Sequence, residues 1–231
     1  MGSKPTVNAP DEEGRLLLRS FAKHLPAVID AKDAIQAMEK GGSKHWKQME
    51  WIGFYPEFWF DENLAAKLET THGPRIGNMS FDLQRQHVWD LKAHSAGSSN
   101  WAPLNDIEAV SDCIDAFGGV GFLVLSGPCT YDEDGSFKKW HETLKGGPSD
   151  YSKRIATRGA SSRRRKTSFT PNHLIAFRFS SLDEINRAKK EGWLKGFQEG
   201  MQNADGKARR AKIMVDLDNI GKWALIDEVR R

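Results

Sequence analysis

The stretch VGFLVLSG, residues 120–127, limits most sharply what this chain can fold into, because it is apolar almost throughout and shows no alternation of polar and apolar positions. A strand with one wet face alternates, whereas a strand that does not alternate is covered on both faces. HLIAFRFS, residues 173–180, has the same character. Two such strands predict a sheet sandwiched between other elements, an α/β architecture with a mixed sheet flanked by helices. The material for that interior is present: 39% of the 231 residues are hydrophobic, with eight Trp and twelve Phe spread along the chain, which excludes general disorder.

The remaining elements follow from local pattern. Residues 1–12 carry two Pro and an acidic cluster before any apolar period begins and read as a loose leader, leaving 13–231 as a single domain. Leu17, Phe21, Ile29, Ile35 and Met38 recur at helical spacing interrupted at Pro26, which predicts two helices. The aromatic-dense stretch from Ser43 predicts a helix kinked or split near Pro56. GNMSFDL (77–83) and HVWDLKAH (87–94), separated by the polar Gln84-Arg85-Gln86, predict a hairpin. Asn105–Phe117 reads as a helix with Gly118-Gly119 as its stop. A polar helix over Ser181 to about Met201 and two closing strands, KIMVDLD and KWALIDEV, complete the chain.

The chemistry concentrates in SFDLQRQHVWDLKAHS. As a strand, its second half puts Trp89, Leu91 and Ala93 on one face and Val88, Asp90, Lys92 and His94 on the other, so one face is core and the other charged. An acid and a lysine on a strand that also packs a Trp are costly unless water, a metal or a partner meets them. Across the hairpin, Asp82 falls beside Asp90. Two carboxylates held close repel unless a divalent cation neutralises them, and hard Mg²⁺ takes oxygen ligands of this kind. Lys92 is placed to orient or deprotonate a water and to stabilise charge on a phosphate. The tripeptide acid-x-Lys recurs at Asp30-Ala31-Lys32, in a helix-like stretch, and at Asp205-Gly206-Lys207, in a polar loop; only Asp90 has strand alternation and an upstream acid at hairpin spacing.

Asp82, seven intervening residues, then Asp90-Leu91-Lys92 resembles the motif of the PD-(D/E)XK nuclease superfamily, with Phe81 where a proline usually precedes the first acid. The order of helix, hairpin, helix and buried strand over about 43–180 is similar to that superfamily's αβββαβ core, and the match is most like the type II restriction endonucleases. The resemblance implies that Asp82 and Asp90 bind Mg²⁺, that the Leu91 carbonyl adds a ligand, and that Lys92 assists the nucleophilic water. It also implies a glutamate from the preceding helix, for which Glu50 is the candidate and Glu57 or Glu62 the alternatives. The products it implies carry 5′-phosphate and 3′-hydroxyl ends.

A formal charge of +3 does not announce a polyanionic partner, but its distribution does. Between Tyr151 and Lys166 lie seven basic side chains, Lys153, Arg154, Arg158, Arg163, Arg164, Arg165 and Lys166, and no acid. Mixed with Ser, Thr and Gly inside an insertion spanning about 138–172, they are the candidate DNA contacts, with Lys138 and Lys139 extending the patch and His94 a further one. The expectation is a sequence-specific endonuclease acting on double-stranded DNA as a homodimer, whose two-fold symmetry matches a symmetric site. A junction or repair nuclease of the same fold and a non-catalytic DNA-binding protein, in which the Asp/Lys hairpin is only a surface salt bridge, are the competing readings. Two cysteines, no apolar h-region and no run of ~18 apolar residues predict a cytoplasmic protein without a membrane partner or a structural zinc. No G-x-S-x-G, P-loop, dinucleotide glycine pattern or H-E-x-x-H points to other chemistry.

Overall fold

The computed structural model describes residues 9–77, 79–97, 99–159, 164–202 and 206–231. Helix α1 (Pro10–His24) opens with a proline and three acids and closes on Lys23 and His24, an arrangement that suits the helix dipole. It starts inside the stretch expected to be a loose leader. Pro26 breaks the chain as expected, and after the short strand β1 (Ile29–Asp30) the Asp30 carboxylate caps α2 (Ala31–Lys40) by accepting from the N–H of Lys32 (2.7 Å) and Asp33 (3.2 Å). The first rival acid-x-Lys is thus a helix cap. Of the second rival, Asp205 lies outside the described residues.

The helix expected from Ser43 is not one helix. Two 3₁₀ turns (Lys44–Lys47 and Trp51–Gly53) lead into α3 (Tyr55–Phe60), a π turn (Asp61–Ala65) and α4 (Ala66–Leu68). Pro56 lies in the first turn of α3, where its missing N–H costs nothing, so it begins a helix rather than kinking one.

Then come β2 (Thr71–His72), the small ribbon of β3 (Arg75–Ile76) and β4 (Met79–Ser80), and the hairpin of β5 (Leu83–Gln84) with β6 (Val88–Ser95). Strand β7 (Trp101–Asp106) leads into α5 (Ile107–Phe117), which ends on Gly118 in the left-handed conformation. The expected helix start at Asn105 is therefore two residues early: Asn105 and Asp106 still belong to a strand. Strand β8 (Val120–Gly127) runs parallel to β6, pairing Asp90 with Phe122 and Lys92 with Val124. The basic region folds as β9 (Cys129–Tyr131), α6 (Ser136–Leu144), α7 (Asp150–Thr157) and β10 (Lys166–Phe169), the last pairing with both β9 and β1. After β11 (His173–Phe179), α8 (Leu182–Glu191) stops at a left-handed Gly192, well short of Met201, and the chain continues as β12 (Leu194–Phe197), β13 (Lys212–Asp216) and β14 (Leu225–Arg230).

The central sheet has the order β14-β11-β8-β6-β5-β2 and is mixed, since β6 and β8 are parallel and the other neighbours antiparallel. Every residue of β8 is buried. Leu123, Leu125, Leu174, Ala176, Trp89 and Leu91 pack on one side with α1, α2 and α3; Phe122, Val124, Ile175, Phe177 and Val88 pack on the other with α5, α8 and the antiparallel sheet β12-β13-β7. Both faces are covered, as the unbroken apolar run requires. Among the described residues no helix is long and apolar enough to cross a membrane.

Two devices fix β6 in place. A side chain at Gly121 would collide with the Trp89 ring and one at Gly14 would approach it at 2.5 Å, so the indole lies in a slot that only glycines leave open. The fully buried Glu13 carboxylate accepts from Trp89 Nε1 (2.8 Å) and from the backbone N–H of Gln86 and His87 (3.1 Å each), tying α1 to the hairpin turn.

Candidate active site

The pairing of β5 with β6 ends at Leu83↔Trp89. At the next step Asp82 replaces a backbone acceptor with its side chain: Oδ2 takes the N–H of Leu91 at 2.6 Å. The sheet opens there, and because the N–H and C=O of one strand residue point to the same side, the Leu91 carbonyl faces the opening too. Asp82, in the bend just before β5, is thereby held against β6, the strand that carries Asp90.

Asp90 is 1% exposed, an acid lying among core residues. Its Oδ1 accepts from Asn105 Nδ2 at 3.0 Å, and its Oδ2 forms an ion pair with Lys92 but receives no hydrogen bond of normal geometry. Lys92, at 23% exposure, connects the pair to solvent. The charged face expected on β6 is therefore real for Asp90 and Lys92 but interrupted: Val88 on the same face is core.

The third acid is Glu57 of α3. Its carboxyl is held above the usual range by burial and by the charges of Asp61 and Asp90, with His72 and Lys92 opposing. Asp82 is held well above its ordinary value by burial and by Asp90, with Lys92 opposing and Glu57 reinforcing. Burial pulls the Lys92 ammonium down, but Asp90, Asp82 and Glu57 outweigh it and leave the pKa raised. Three carboxylates and one lysine thus share one field, and Lys92 is firmly protonated at neutral pH, suited to orient and stabilise rather than to accept a proton. A cleft of about 270 Å³ lined by His45, Phe54, Glu57, Asp61 and His72 opens beside Glu57.

Glu50, the first-named glutamate candidate, is turned elsewhere: it forms an ion pair with Lys166. The 3₁₀ turn at Trp51–Gly53 breaks the helical phase that would have brought it to the sheet. Glu57, held as an alternative, is the glutamate whose carboxyl feels the charge of Asp90. Glu62 lines the same cleft as Glu57. Asn105 was hidden by its position before a helix, where Asn reads as a cap; only the strand β7 reveals it as a support for Asp90.

The donors present are carboxylate oxygens and a backbone carbonyl, which suit a hard divalent cation. Among the described residues no group of three His, Cys, Asp or Glu side chains is placed to hold a metal ion. A Mg²⁺ held here would have Asp82, Asp90 and the Leu91 carbonyl as its protein ligands and would keep several of its waters.

The expected DNA contacts divide. Lys153, Arg154 and Arg158 are exposed on or just after α7, with Lys153 3.7 Å from Asp150. Arg164 is bidentate to Glu133 (2.7 and 2.9 Å) and stacks on Tyr131; Arg165 is buried against Glu142 at 3.1 Å; Lys166 pairs with Glu50. The acids missing from the segment come from elsewhere in the fold, so its field is weaker than its sequence suggests. Arg163 lies outside the described residues. Lys138 and Lys139 line an open cavity of about 510 Å³ on α6. His94 is buried, donates to or accepts from Ser126 Oγ through Nδ1 (2.9 Å), and its pKa is lowered by burial, which makes it a link between β6 and β8 rather than a surface contact. Both Cys113 and Cys129 are free thiols, the former pushed up to about 12 by burial and by Asp90, far from a reactive thiolate.

No family model, no curated protein and no solved structure matches this chain.

Proposed function

We propose that this chain is a magnesium-dependent endonuclease that hydrolyses phosphodiester bonds in double-stranded DNA, built on a restriction-endonuclease-like αβββαβ core. The observation that carries the proposal is the placement of Asp82 against the Leu91 N–H where β5 and β6 part, beside a buried Asp90 that is ion-paired with Lys92. The element order of hairpin, helix and parallel strand around it supports the PD-(D/E)XK likeness.

In this reading Asp82, Asp90 and the Leu91 carbonyl would hold the Mg²⁺, which when bound would supply Lewis-acid chemistry at the phosphate. Lys92, kept cationic by its neighbours, orients the attacking water and stabilises negative charge building on the phosphate oxygens. Glu57, with its raised pKa, accepts or returns a proton at the cleft side. Asn105 fixes the rotamer of Asp90. A homodimer cutting a symmetric site is the simplest arrangement for breaking both strands, and the free thiols suit a reducing cytoplasm.

The pairing of Arg164, Arg165 and Lys166 with acids occupies three of the candidate DNA contacts and favours, as a second reading, a nuclease of the same fold that recognises branched or damaged DNA by shape. Incubation of the protein with unmethylated linear duplexes and with four-way junctions, in Mg²⁺ and in EDTA, separates the two. Discrete Mg²⁺-dependent fragments of linear DNA support the restriction-like reading; cleavage confined to junctions supports the second; tight binding without cleavage supports a DNA-binding protein instead.

A further inference from the structure

The end of β7 departs from regular strand geometry. Pro103 to Asp106 covers three steps of β7 against two steps of β13, from Met214 to Lys212, so β7 carries one extra residue there. Pro103 has no N–H for a ladder, and a proline within a sheet is confined to edges and bulges; β7 is an edge strand of β12-β13-β7. A bulge breaks the alternation of faces and re-aims side chains. Leu104, Asn105 and Asp106 are accordingly buried one after another, which a regular strand with one exposed face does not allow.

Two buried polar side chains in sequence each need partners, and they find different ones. Asn105 Nδ2 donates to Asp90 Oδ1 at 3.0 Å. Asp106 Oδ2 accepts from Arg210 Nη1 at 3.3 Å, and its Oδ1 lies 3.8 Å from Lys212 Nζ. Asp106 stands at the N-cap of α5, yet its carboxylate caps no helical N–H, so its charge is committed to the two cations. The backbone adds a third tie: Ile107 N–H donates to the Ala211 carbonyl at 3.0 Å. Residues 210–212 therefore grip the bulge through side chains and backbone together. The peptide plane between Asn105 and Asp106 is rigid and their Cα atoms are ~3.8 Å apart, so a shift of one carries the other. A buried carboxylate that loses its cations is left uncompensated and moves toward water.

We propose that Asp106, gripped by Arg210 and Lys212, is a positioning residue that keeps the Asn105 amide on Asp90. The grip stands by itself; its effect on hydrolysis rests on the nuclease reading. The test compares the wild type with Asp106→Asn, Arg210→Ala/Lys212→Ala and the conservative Arg210→Lys. Arg210 and Lys212 are partly exposed, so their double variant keeps the test available if Asp106→Asn does not fold. The first readout needs no activity: the NMR signals and hydrogen exchange of the Asn105 side-chain amide, in EDTA without DNA. Exchange about tenfold faster is expected in Asp106→Asn and in the double variant, with Arg210→Lys like the wild type. The second readout is the single-turnover rate at saturating duplex in Mg²⁺, beside duplex affinity in EDTA. A rate about tenfold lower is expected in the same two variants, restored in Arg210→Lys. In Asp106→Asn the affinity is expected to hold or tighten, because a negative charge is gone. An Asn105 amide that behaves as in the wild type in both folded variants overturns the proposal. So does a double variant that binds duplex more weakly but cuts at the wild-type rate when saturated, since Arg210 and Lys212 would then serve the DNA and not Asp106. A loosened Asn105 amide in a protein whose wild type cuts no DNA supports the grip and sinks the nuclease reading.

Discussion

Asp82 combines a poor environment for charge with a good one for a cation. Its carboxyl lies beside Asp90 and Glu57 and is pushed well above its ordinary value, so at neutral pH the folded state suffers from its ionisation. Asp82→Asn keeps an acceptor for the Leu91 N–H while removing that repulsion. The variant is expected to gain ~1 kcal/mol, or about 2–4 °C in Tm, while losing DNA cleavage; a loss of stability in calorimetry would show that Asp82 is there for the fold. A different residue governs acid sensitivity. His141 is buried, with Nε2 on the Trp46 carbonyl and Nδ1 without a partner, and burial together with Lys145 lowers its pKa to about 4. Because the folded value is depressed, its contribution is fully present above 6.5 and is lost as pH falls toward about 4, in total ~3 kcal/mol. Urea unfolding from pH 7 to 4 is expected to show a steep fall in stability for the wild type and a shallower one for His141→Gln.

The hairpin β5–β6 depends on α1 as much as on its own turn. Removing the Glu13 side chain strips acceptors from Trp89, Gln86 and His87 inside a closed space, a loss of about 3 kcal/mol. In Glu13→Ala, amide exchange at Gln86, His87 and Leu91 is expected to quicken while β8 stays protected; uniform loss of protection would instead mean that the hairpin is no separate unit. At this scale the sequence was legible where period or apolarity is strong. The buried strands β8 and β11, the break at Pro26 and the second strand of the hairpin follow from it; the first strand, expected over 77–83, is only Leu83–Gln84, with Asp82 in the bend before it and Met79–Ser80 paired with β3. It was misleading where local signals compete. Trp101-Ala102-Pro103-Leu104 resembles a loop because of its proline, and Asn105-Asp106 resembles a helix cap, so β7 and the Asn105 support went unseen. Pro56 looks like a kink and is a start, which moved the glutamate of the site from Glu50 to Glu57. The polar stretch after Ser181 continues in helical composition past Gly192, but the indoles of Trp193 and Trp223 both donate to Glu191 and turn the chain back as β12.

The whole molecule is a mixed sheet covered on both faces, opened at one point where two strands part and acidic side chains meet a lysine. The basic residues that look contiguous in the insertion are divided by the fold: Arg164, Arg165 and Lys166 pair with Glu133, Glu142 and Glu50, while Lys153, Arg154 and Arg158 stay exposed. Such an arrangement predicts that a divalent cation stabilises the protein even without DNA. A Mg²⁺-dependent rise in Tm is expected for the wild type and Lys92→Ala, but not for Asp90→Asn. The central claim is that Asp90 and Lys92 act together in metal-dependent hydrolysis of DNA. The direct measurement is the single-turnover cleavage rate of duplex DNA in Mg²⁺ and in EDTA by the wild type, Asp90→Asn and Lys92→Ala, with folding of each checked by circular dichroism. The account predicts Mg²⁺-dependent cleavage that falls by about 1000-fold or more in both folded variants. Cleavage that persists in either variant or in EDTA, or a wild type that cuts no DNA, would contradict it.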